Sequence, residues 1–573
     1  MIAEIRYFLA AGAIFGMCIA PAFAQSPADE FTRRQEEQAQ KQRLDALRQA
    51  TPGGGVETEN GPLPASQGKG ACFDITRVEI EGAKLLSPGE LRKVTAPYGN
   101  RCVGLAEINA VLKDVTHLYI DHGYVTSRAY VPQQDIRKTR VLRLLVVEGT
   151  LSDIYLNGQK VAGNASLATA FPGLIGRVLN IRDIEQGLDQ MNRLQANDAK
   201  SSMLPGPKDG TSILNIENRQ GRPWHVSLGN NNLGQESTGF SRSSASLGFD
   251  DPLDINDQWN FSYEHSGPDY PWSNDGRGYG NSYSGSVSVP YGYSTVSLNG
   301  SWYQYESAVE GNFSTLATSG NSGQAGLGID RVVFRDKDSI TTVRSGLTYK
   351  QTNNFLLGNL IEVGSRRYTV GDIGISHSRS MFGGVWMFDA SYDKGLGLFD
   401  AVEPGDPGAG NADPRFSKFN ATVSVTQPFQ AAGRQFELTS LISAQYSPDN
   451  LLGAEQISLG GYSNVRGTRE SVLFGNDGMF SHNEIVWRTG SNQGGGAAAK
   501  AFGELRPYLG FDYGHVYAQK RFDITGGDLA SWTVGIRAVG GNISTDLGYS
   551  DIVASSVEHV DGGLFYFSAS THW

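Results

Sequence analysis

The fold is decided by stretches such as WMFDASYD, residues 386–393, in which apolar and polar side chains alternate one by one. One face of this predicted strand carries Trp386, Phe388, Ala390 and Tyr392. The same alternation recurs at residues 419–426, 436–446 and 532–538. Because successive side chains of a strand point to opposite faces, the pattern predicts antiparallel β-structure with one apolar face from 220 to 573.

Two architectures produce such alternation. A soluble sandwich of this length would need several domains, and its solvent face should be rich in charged side chains. Here the polar face is mostly Ser, Thr, Asn and Gly, and the predicted strands run about ten residues, which is enough to cross a bilayer when tilted. In lipid, only a closed barrel satisfies the hydrogen bonds of every strand edge. We therefore predict a membrane all-β barrel of about 16 antiparallel strands over residues 220–573.

The stretch LFYFSASTHW, residues 564–573, supports the membrane interpretation. Phe565, Phe567 and Trp573 share one face of an amphipathic strand, and aromatic residues of this kind form girdles at membrane interfaces. An ordinary edge strand of a soluble protein is the alternative. The stretch resembles the signal that barrel-assembly machinery recognises in many outer-membrane proteins. This resemblance implies two partners, the barrel-assembly machinery and outer-membrane lipid.

Composition and the start of the chain agree with export. The 573 residues carry a formal net charge of -11 at a pI near 5.4, which argues against nucleic acid as a partner. Residues 1–24 contain an apolar run followed by Ala22-Phe23-Ala24 and are predicted to be a signal peptide. An uncleaved anchor is the alternative. We find no later apolar run near twenty residues, which leaves a periplasmic, secreted or barrel protein.

Three cysteines are present. Cys18 lies in the predicted signal peptide, which leaves Cys72 and Cys102 as an even pair in an oxidising compartment. A disulfide is the expectation there, because a metal site would need more ligands than two cysteines. No metal site is predicted.

Between the signal peptide and the barrel, the composition changes three times. Residues 25–50 are rich in strong helix formers but have few apolar side chains, so they are either a solvated tail or a movable helix that docks in a polar cavity. Residues 51–70 are rich in Gly and Pro and are predicted to be a linker. Residues 71–149 and 150–219 each mix short strands with amphipathic helices, which predicts two small α/β domains. In the first of them, strands are expected at 125–131 and 141–147.

Both small domains contain short sequence motifs. The first contains GYVTSR at 123–128, VPQQD at 131–135 and VVEG at 146–149. The second contains LNIRDIE at 179–185 and Pro205-Gly206. These motifs resemble the paired POTRA domains of the TpsB transporters of two-partner secretion, the exporters of filamentous haemagglutinin and haemolysin. The resemblance covers nearly the whole mature chain. It implies that residues 25–50 are a helix that plugs the barrel.

Two further motifs lie in the predicted barrel. Val465-Arg466-Gly467-Thr468 resembles the VRG[YF] tip of the family's long sixth loop, which folds back into the pore; Thr468 replaces the usual aromatic residue. Gly510-Phe511-Asp512-Tyr513-Gly514 resembles the barrel-wall motif F-x-D-x-G; Asp512 and Gly514 match it, whereas Gly510 stands where Phe is expected. The resemblance implies that Arg466 pairs with Asp512 in the lumen.

The resemblance also implies the function. A monomeric transporter in the bacterial outer membrane, with its POTRA domains in the periplasm, would export an unfolded TpsA-like protein of the haemagglutinin, haemolysin or adhesin type. Two alternatives stay open, an insertase that assembles other outer-membrane proteins and a diffusion porin. We find no phosphate-binding loop, catalytic triad or metal cluster, so neither an enzyme nor a cofactor is expected.

Overall fold

The computed structural model describes residues 26–49, 72–161, 163–267, 278–310, 314–490, 496–558, 560 and 562–573. The predicted signal peptide (1–24) and linker (51–70) lie outside these residues. Within the described ranges, no helix is both long and apolar enough to cross a membrane. The first element of the described residues is a single long helix, α1 (Pro27–Gln49).

The first α/β unit is built around a small mixed sheet. Its elements are β1 (Phe73–Ile75), β2 (Arg77–Glu81), α2 (Pro88–Thr95), β3 (Arg101–Val103), α3 (Leu105–Asp121), β4 (Arg128–Tyr130), α4 (Ile136–Thr139) and β5 (Val141–Val147). The sheet has the order β2-β5-β4, and β1 pairs separately with β3. The apolar face of α3 packs on β5 and forms the core. The strand expected at 125–131 is wrong at its start, because Val125 and Ser127 donate backbone hydrogen bonds within consecutive turns and only Arg128–Tyr130 pair with β5.

The second α/β unit follows directly and has a four-stranded sheet. Its elements are β6 (Thr150–Leu156), β7 (Gln159–Lys160), α5 (Ala165–Ala170), α6 (Ile181–Asn192), β8 (Asn197–Pro205) and β9 (Thr211–Gln220). The strand order is β7-β6-β9-β8, so β8 is an edge strand within the described part of the chain. Ile184, Leu188 and Met191 of α6 are buried against the sheet.

The remaining residues form a closed barrel and the segments that connect its strands. The elements are β10 (Trp224–Asn231), β11 (Ser241–Asp250), β12 (Gln258–Gly267), β13 (Tyr279–Tyr291), β14 (Ser294–Glu310), β15 (Thr315–Arg335), β16 (Ser339–Leu356), β17 (Asn359–Leu360), β18 (Arg366–Met381), β19 (Gly384–Leu396), β20 (Ser417–Ala431), β21 (Arg434–Tyr446), β22 (Ile457–Gly460), β23 (Ser471–Gly475), β24 (Gly478–Arg488), α7 (Ala497–Phe502), β25 (Gly503–Val516), β26 (Gly527–Gly540), β27 (Ile543–Ser555) and β28 (Leu564–His572). Strands β22 and β23 pair only with each other, and β17 is a two-residue extension of one hairpin.

Sixteen full-length strands of the described chain close the barrel, each antiparallel to its neighbours, and β10 pairs with β28 at the seam. The side chains alternate as the sequence predicts: Leu509 and Phe511 are 63% and 54% exposed on the outer face, whereas Tyr508 and Asp512 are buried on the inner face. The prediction of a barrel of about 16 strands preceded by two α/β domains and a helix is confirmed. The predicted length of about ten residues is too short for several strands, since β15 has 21 residues.

The second α/β unit is attached to one end of the barrel, which we call the domain end. The side chains of Gln186 and Gln190 in α6 donate to the carbonyl oxygen of Gly292, in the β13–β14 turn, at 3.3 and 3.1 Å. Arg335, where β15 ends, pairs with Asp189 at 2.6 Å and with Glu185 at 3.4 Å. Helix α6 is therefore bonded directly to the barrel turns.

Candidate functional site

The loop between β21 and β24 lies inside the barrel. Its hairpin, β22 and β23, places Leu459 and Val465 in an apolar cluster with Val516 of β25 and Leu529 of β26. A Cβ atom at Gly514 would collide with Leu459 and lie tightly against Val465. The glycine of the barrel-wall motif therefore allows the loop to pack directly on β25.

Arg466, at the tip of this loop, forms a bidentate pair with Asp512. Its Nε and Nη2 atoms lie 2.7 and 2.9 Å from the two carboxylate oxygens, and its backbone N–H donates to Oδ2 at 3.2 Å. Both side chains are almost completely buried. The structure thus brings together the two residues that the motifs single out. A planar guanidinium on a carboxylate fixes the direction as well as the distance of the contact, which holds the loop tip in one place.

Glu484 of β24 is a second partner of Arg466, which the sequence analysis did not identify. Its Oε1 atom accepts from Nη1 of Arg466 at 2.5 Å, and both of its oxygens accept from Arg537 of β26, at 2.5 and 2.7 Å. Arg537 also pairs with Asp546 at 2.7 Å, and the hydroxyl groups of Tyr462 and Tyr508 donate to that carboxylate. The sequence did contain a signal for Glu484, because a charged residue stands there at an inward position of a strand with alternating polarity.

The two departures from the family motifs have local explanations. A Cβ atom at Gly510 would collide with the guanidinium of Arg466, so the glycine leaves the space that this side chain occupies. At the loop tip, Gly467 has φ +108°, a conformation that favours glycine, and its N–H donates to the hydroxyl of Tyr566 in β28 at 2.7 Å. Thr468 accepts from the N–H of Gly461 at 3.0 Å and donates to the carbonyl of Glu470. An aromatic ring from the wall, Tyr566, therefore contacts the tip instead of one at position 468.

Helix α1 lies in the lumen against the opposite wall. The ring of Phe31 stacks on Tyr303 of β14 with centroids 4.5 Å apart, and the hydroxyl of Thr32 lies 3.0 Å from that of Ser322 in β15. Asp29 pairs with Arg366, where β18 begins. Of the two interpretations of residues 25–50, a solvated tail is therefore wrong, because the helix is docked in a polar cavity.

A cluster of charged side chains joins the helix, the loop and the wall. Glu455, in a 3-10 turn of the same loop, bridges Lys350 of β16 and Lys418 of β20 with Oε–Nζ distances of 2.5 Å each. Glu36 of α1 pairs with Lys350 and lies 3.9 Å from Lys418. The wall lysines thus bind one carboxylate from the loop and one from the helix, so both segments that fill the lumen share the same cations.

The first α/β unit has a disulfide and a half-buried carboxylate that accepts several hydrogen bonds. Cys72 and Cys102 are joined, with Cα atoms 5.4 Å apart. Glu148, in the VVEG motif, accepts from the backbone N–H groups of Lys84 and Leu85 at 2.7 and 2.9 Å and from the hydroxyl of Tyr119 at 3.0 Å. Burial raises the pKa of Tyr119 well above its ordinary value, so the phenol stays protonated and donates to Glu148.

The last strand closes the barrel. Phe565 and Phe567 of β28 point outward, and Phe565 is 55% exposed. The backbone of Trp573 exchanges two hydrogen bonds with Val226 of β10, at 3.0 and 3.3 Å. These three aromatic residues therefore lie on the outer surface beside the seam.

Two α/β domains on one end of a closed barrel, with a helix and a loop held in its lumen, define an outer-membrane transporter of the POTRA-plus-barrel class. Residues 210–538 match the family described as haemolysin secretion/activation protein ShlB/FhaC/HecB. Residues 73–149 match the ShlB-type POTRA domain, and residues 150–205 match a further POTRA domain. The chain belongs to the ShlB/FhaC/HecB family, which confirms the resemblance seen in the sequence. The barrel is in the outer membrane and its domain end faces the periplasm.

Related proteins and solved structures support the same family assignment. The chain is 32% identical over 551 residues to the outer membrane transporter CdiB of Escherichia coli O6:K15:H31 (strain 536 / UPEC), covering 94% of this chain and 89% of the relative. It is 30% identical over 422 residues to the hemolysin transporter protein ShlB of Serratia marcescens, covering 74% and 73%. The structure of CdiB from Escherichia coli superposes with a TM-score of 0.84 at 29% identity, covering 96% of this chain and 99% of that one. CdiB from Acinetobacter baumannii, at 18% identity and a TM-score of 0.76, has the same fold.

Proposed function

We propose that this transporter exports an unfolded partner protein from the periplasm to the cell surface through the barrel lumen. One observation carries the proposal: a helix and a loop, and not the side chains of the barrel strands, fill the lumen. Both segments are joined to the wall by side-chain contacts. Side-chain contacts can be exchanged, so both segments can leave without unfolding the barrel. The relatives include transporters named for haemolysins, and we propose a partner of that secreted TpsA-like type.

The periplasmic domains supply the first binding site in this proposal. An extended polypeptide can add to an open strand edge, where main-chain hydrogen bonds hold it without requiring one sequence. Strand β8 offers such an edge over its second half, Ser201–Pro205; nearer its start, the N–H and carbonyl groups of Ala199 are already bonded to the side chain of Asn192. The partner would then thread outward, and its folding outside would make the step irreversible by removing the unfolded state.

The site residues take these roles in the proposal. Val465, Arg466, Gly467 and Thr468 form the tip of the lumen loop, and Asp512 and Gly514 hold it to the wall until the partner arrives. The disulfide of Cys72 and Cys102 stabilises the first POTRA domain (71–149), which precedes the second (150–219) and the barrel (220–573). Phe565, Phe567 and Trp573 serve as the signal for barrel assembly. The transporter works as a monomer and its activity needs no catalytic group.

Export from cells tests the proposal. The chain is expressed together with a candidate TpsA-like secreted protein, and the partner is assayed at the cell surface and in the medium. We expect the partner outside only when the transporter is present, with the amounts of other outer-membrane barrels unchanged. A general loss of other barrels in cells lacking the transporter would indicate an insertase instead. Partner appearing outside equally well without the transporter would contradict the proposal.

A further inference from the structure

Two carboxylates of helix α1 pair with cationic side chains of the lumen wall. Asp29 pairs with Arg366, and Glu36 pairs with Lys350 beside Lys418. The three cationic side chains are at most 10% exposed. All three belong to barrel strands, so they remain on the wall when the helix is elsewhere.

The lysines keep their positions without the helix. Glu455 bridges them at 2.5 Å on each side, and the hydroxyl of Tyr368 donates to the same carboxylate at 3.0 Å. Asp393 of β19 lies 3.6 Å from Lys418 and is the wall carboxylate that the described residues place against the cluster, whereas Glu455 belongs to the lumen loop. With the helix absent and the loop in place, Arg366, Lys350 and Lys418 face Glu455 and Asp393, which leaves one excess positive charge. When the loop leaves as well, Glu455 goes with it and the excess rises to two. A buried charge without a partner is unfavourable, so the vacated wall attracts an anion.

We propose, resting on the export function above, that Arg366 and the Lys350/Lys418 pair are two carboxylate-binding subsites for the polypeptide in transit, and that α1 is a resident mimic of it. The ligand is an extended acidic segment of the exported chain. Its carboxylates take the places of Asp29 and Glu36, so binding of the segment and release of the helix are one exchange.

The helix geometry sets the spacing of the ligand. Asp29 and Glu36 are seven residues apart, and seven residues of α-helix rise about 10.5 Å. An extended chain rises roughly 3.3 Å per residue and points only every second side chain to the same face, so four residues, about 13 Å, is the same-face spacing nearest to that distance. The fitting segment therefore has two acidic residues four positions apart. A segment with a single acidic residue, or with two on opposite faces, fills only one subsite.

Channel recordings test this with the full-length chain in planar lipid bilayers. The double variant Asp29→Asn/Glu36→Gln removes the competing helix carboxylates. The probe is a synthetic Gly/Ser peptide with two glutamates four positions apart, compared with the same peptide carrying glutamines. We expect the acidic peptide to block the current at a concentration at least tenfold lower than the neutral one. Adding Lys350→Gln, Lys418→Gln and Arg366→Gln should abolish that difference, whereas Arg488→Gln, at a lumen arginine away from the helix, should keep it.

Equal block by both peptides, or a difference that survives loss of Arg366, Lys350 and Lys418 together, would overturn the proposal. If the double variant does not insert, the unmodified protein gives a second readout: the acidic peptide should compete with the helix and raise the open probability, and the neutral peptide should not. Neither recording involves the natural partner. Failure of partner export in cells with intact peptide block would count against the export function alone, and the reverse result against the subsites alone.

Discussion

The contact between Arg466 and its two carboxylates is the most consequential single-residue feature of the lumen. Replacing Arg466 with Ala leaves Asp512 and Glu484 buried without their shared cation, at a cost on the order of 3–5 kcal/mol. We expect Arg466→Ala to lower export to about a tenth or less of wild type, while heat-modifiable migration on gels shows a folded barrel.

The matched control for this prediction is Arg488→Ala. Arg488 also faces the lumen and binds two carboxylates, Glu437 at 3.0 Å and Glu504 at 3.3 Å, but it is half-buried and does not touch the loop. Export at the wild-type level by Arg466→Ala, or an equal loss in both variants, would show that the loop contact has no special role.

Gly510 gives a second prediction at the residue scale. Gly510→Phe restores the residue that the family motif expects, yet its side chain would occupy the space of the Arg466 guanidinium. We expect the variant to lose export to a similar extent as Arg466→Ala, because overpacking and a displaced charge act together. Gly510→Ala is the smaller step and should fall between. Full export by Gly510→Phe would show that this wall tolerates the family residue by another arrangement.

Particular residues show how much of the fold and of the candidate site could be predicted from the sequence. The alternation around Trp386 is local, and a period of two is enough to predict strands. The choice of a barrel over a sandwich needed the uncharged polar face and the length of the strands as well. The pair of Arg466 and Asp512 was predicted because the motifs resembled a known family. Glu484 and Glu455 were missed, since their partners come from strands and loops far away in sequence and no local pattern records which inward residues face one another.

Helix α1 is the element whose position depends most on charge. Asp29, Glu36 and Arg43 recur every seven residues and therefore follow one face of the helix. Glu36→Lys places a third cation beside Lys350 and Lys418 and should release the helix from the wall. In bilayer recordings we expect an open probability roughly tenfold above wild type, corresponding to about 1.4 kcal/mol of lost docking energy.

Glu37→Lys makes the same change of charge one position along the helix, where the described residues show no salt bridge to the wall. It should leave the channel near its wild-type behaviour. If the two variants open the channel equally, the helix is held by its total charge rather than by the lysine pair.

The disulfide between Cys72 and Cys102 contributes to the stability of the first POTRA domain. It closes a loop with a sequence separation of 30, for which the chain-entropy estimate is about 3–4 kcal/mol. We expect Cys72→Ser/Cys102→Ser to lower the urea midpoint of this domain in the full-length protein, read by protease cleavage within residues 73–147. Barrel migration on gels should not change. An unchanged midpoint would show that the core around α3 suffices.

For the whole molecule, the seam is the weakest part of the cylinder. Strands β10 and β28 pair over five residues, Ser227–Asn231 with Ser568–His572, whereas β14 and β15 pair over seventeen. Local opening breaks fewer hydrogen bonds at the short pairing, so its amides should exchange at least about tenfold faster than those of β14 and β15. Hydrogen exchange with mass spectrometry in nanodiscs measures this. Equal protection along both pairings would contradict the expectation.

Finally, the attachment of α6 to the barrel turns has a mechanical meaning. Gln186, Gln190 and Arg335 connect one helix to the turn between β13 and β14 and to the end of β15. Force exerted on the second POTRA domain by a captured chain is therefore delivered to the strands that also contact α1. A pulling force on the second POTRA domain can thus loosen helix α1 before any part of the partner protein has entered the lumen.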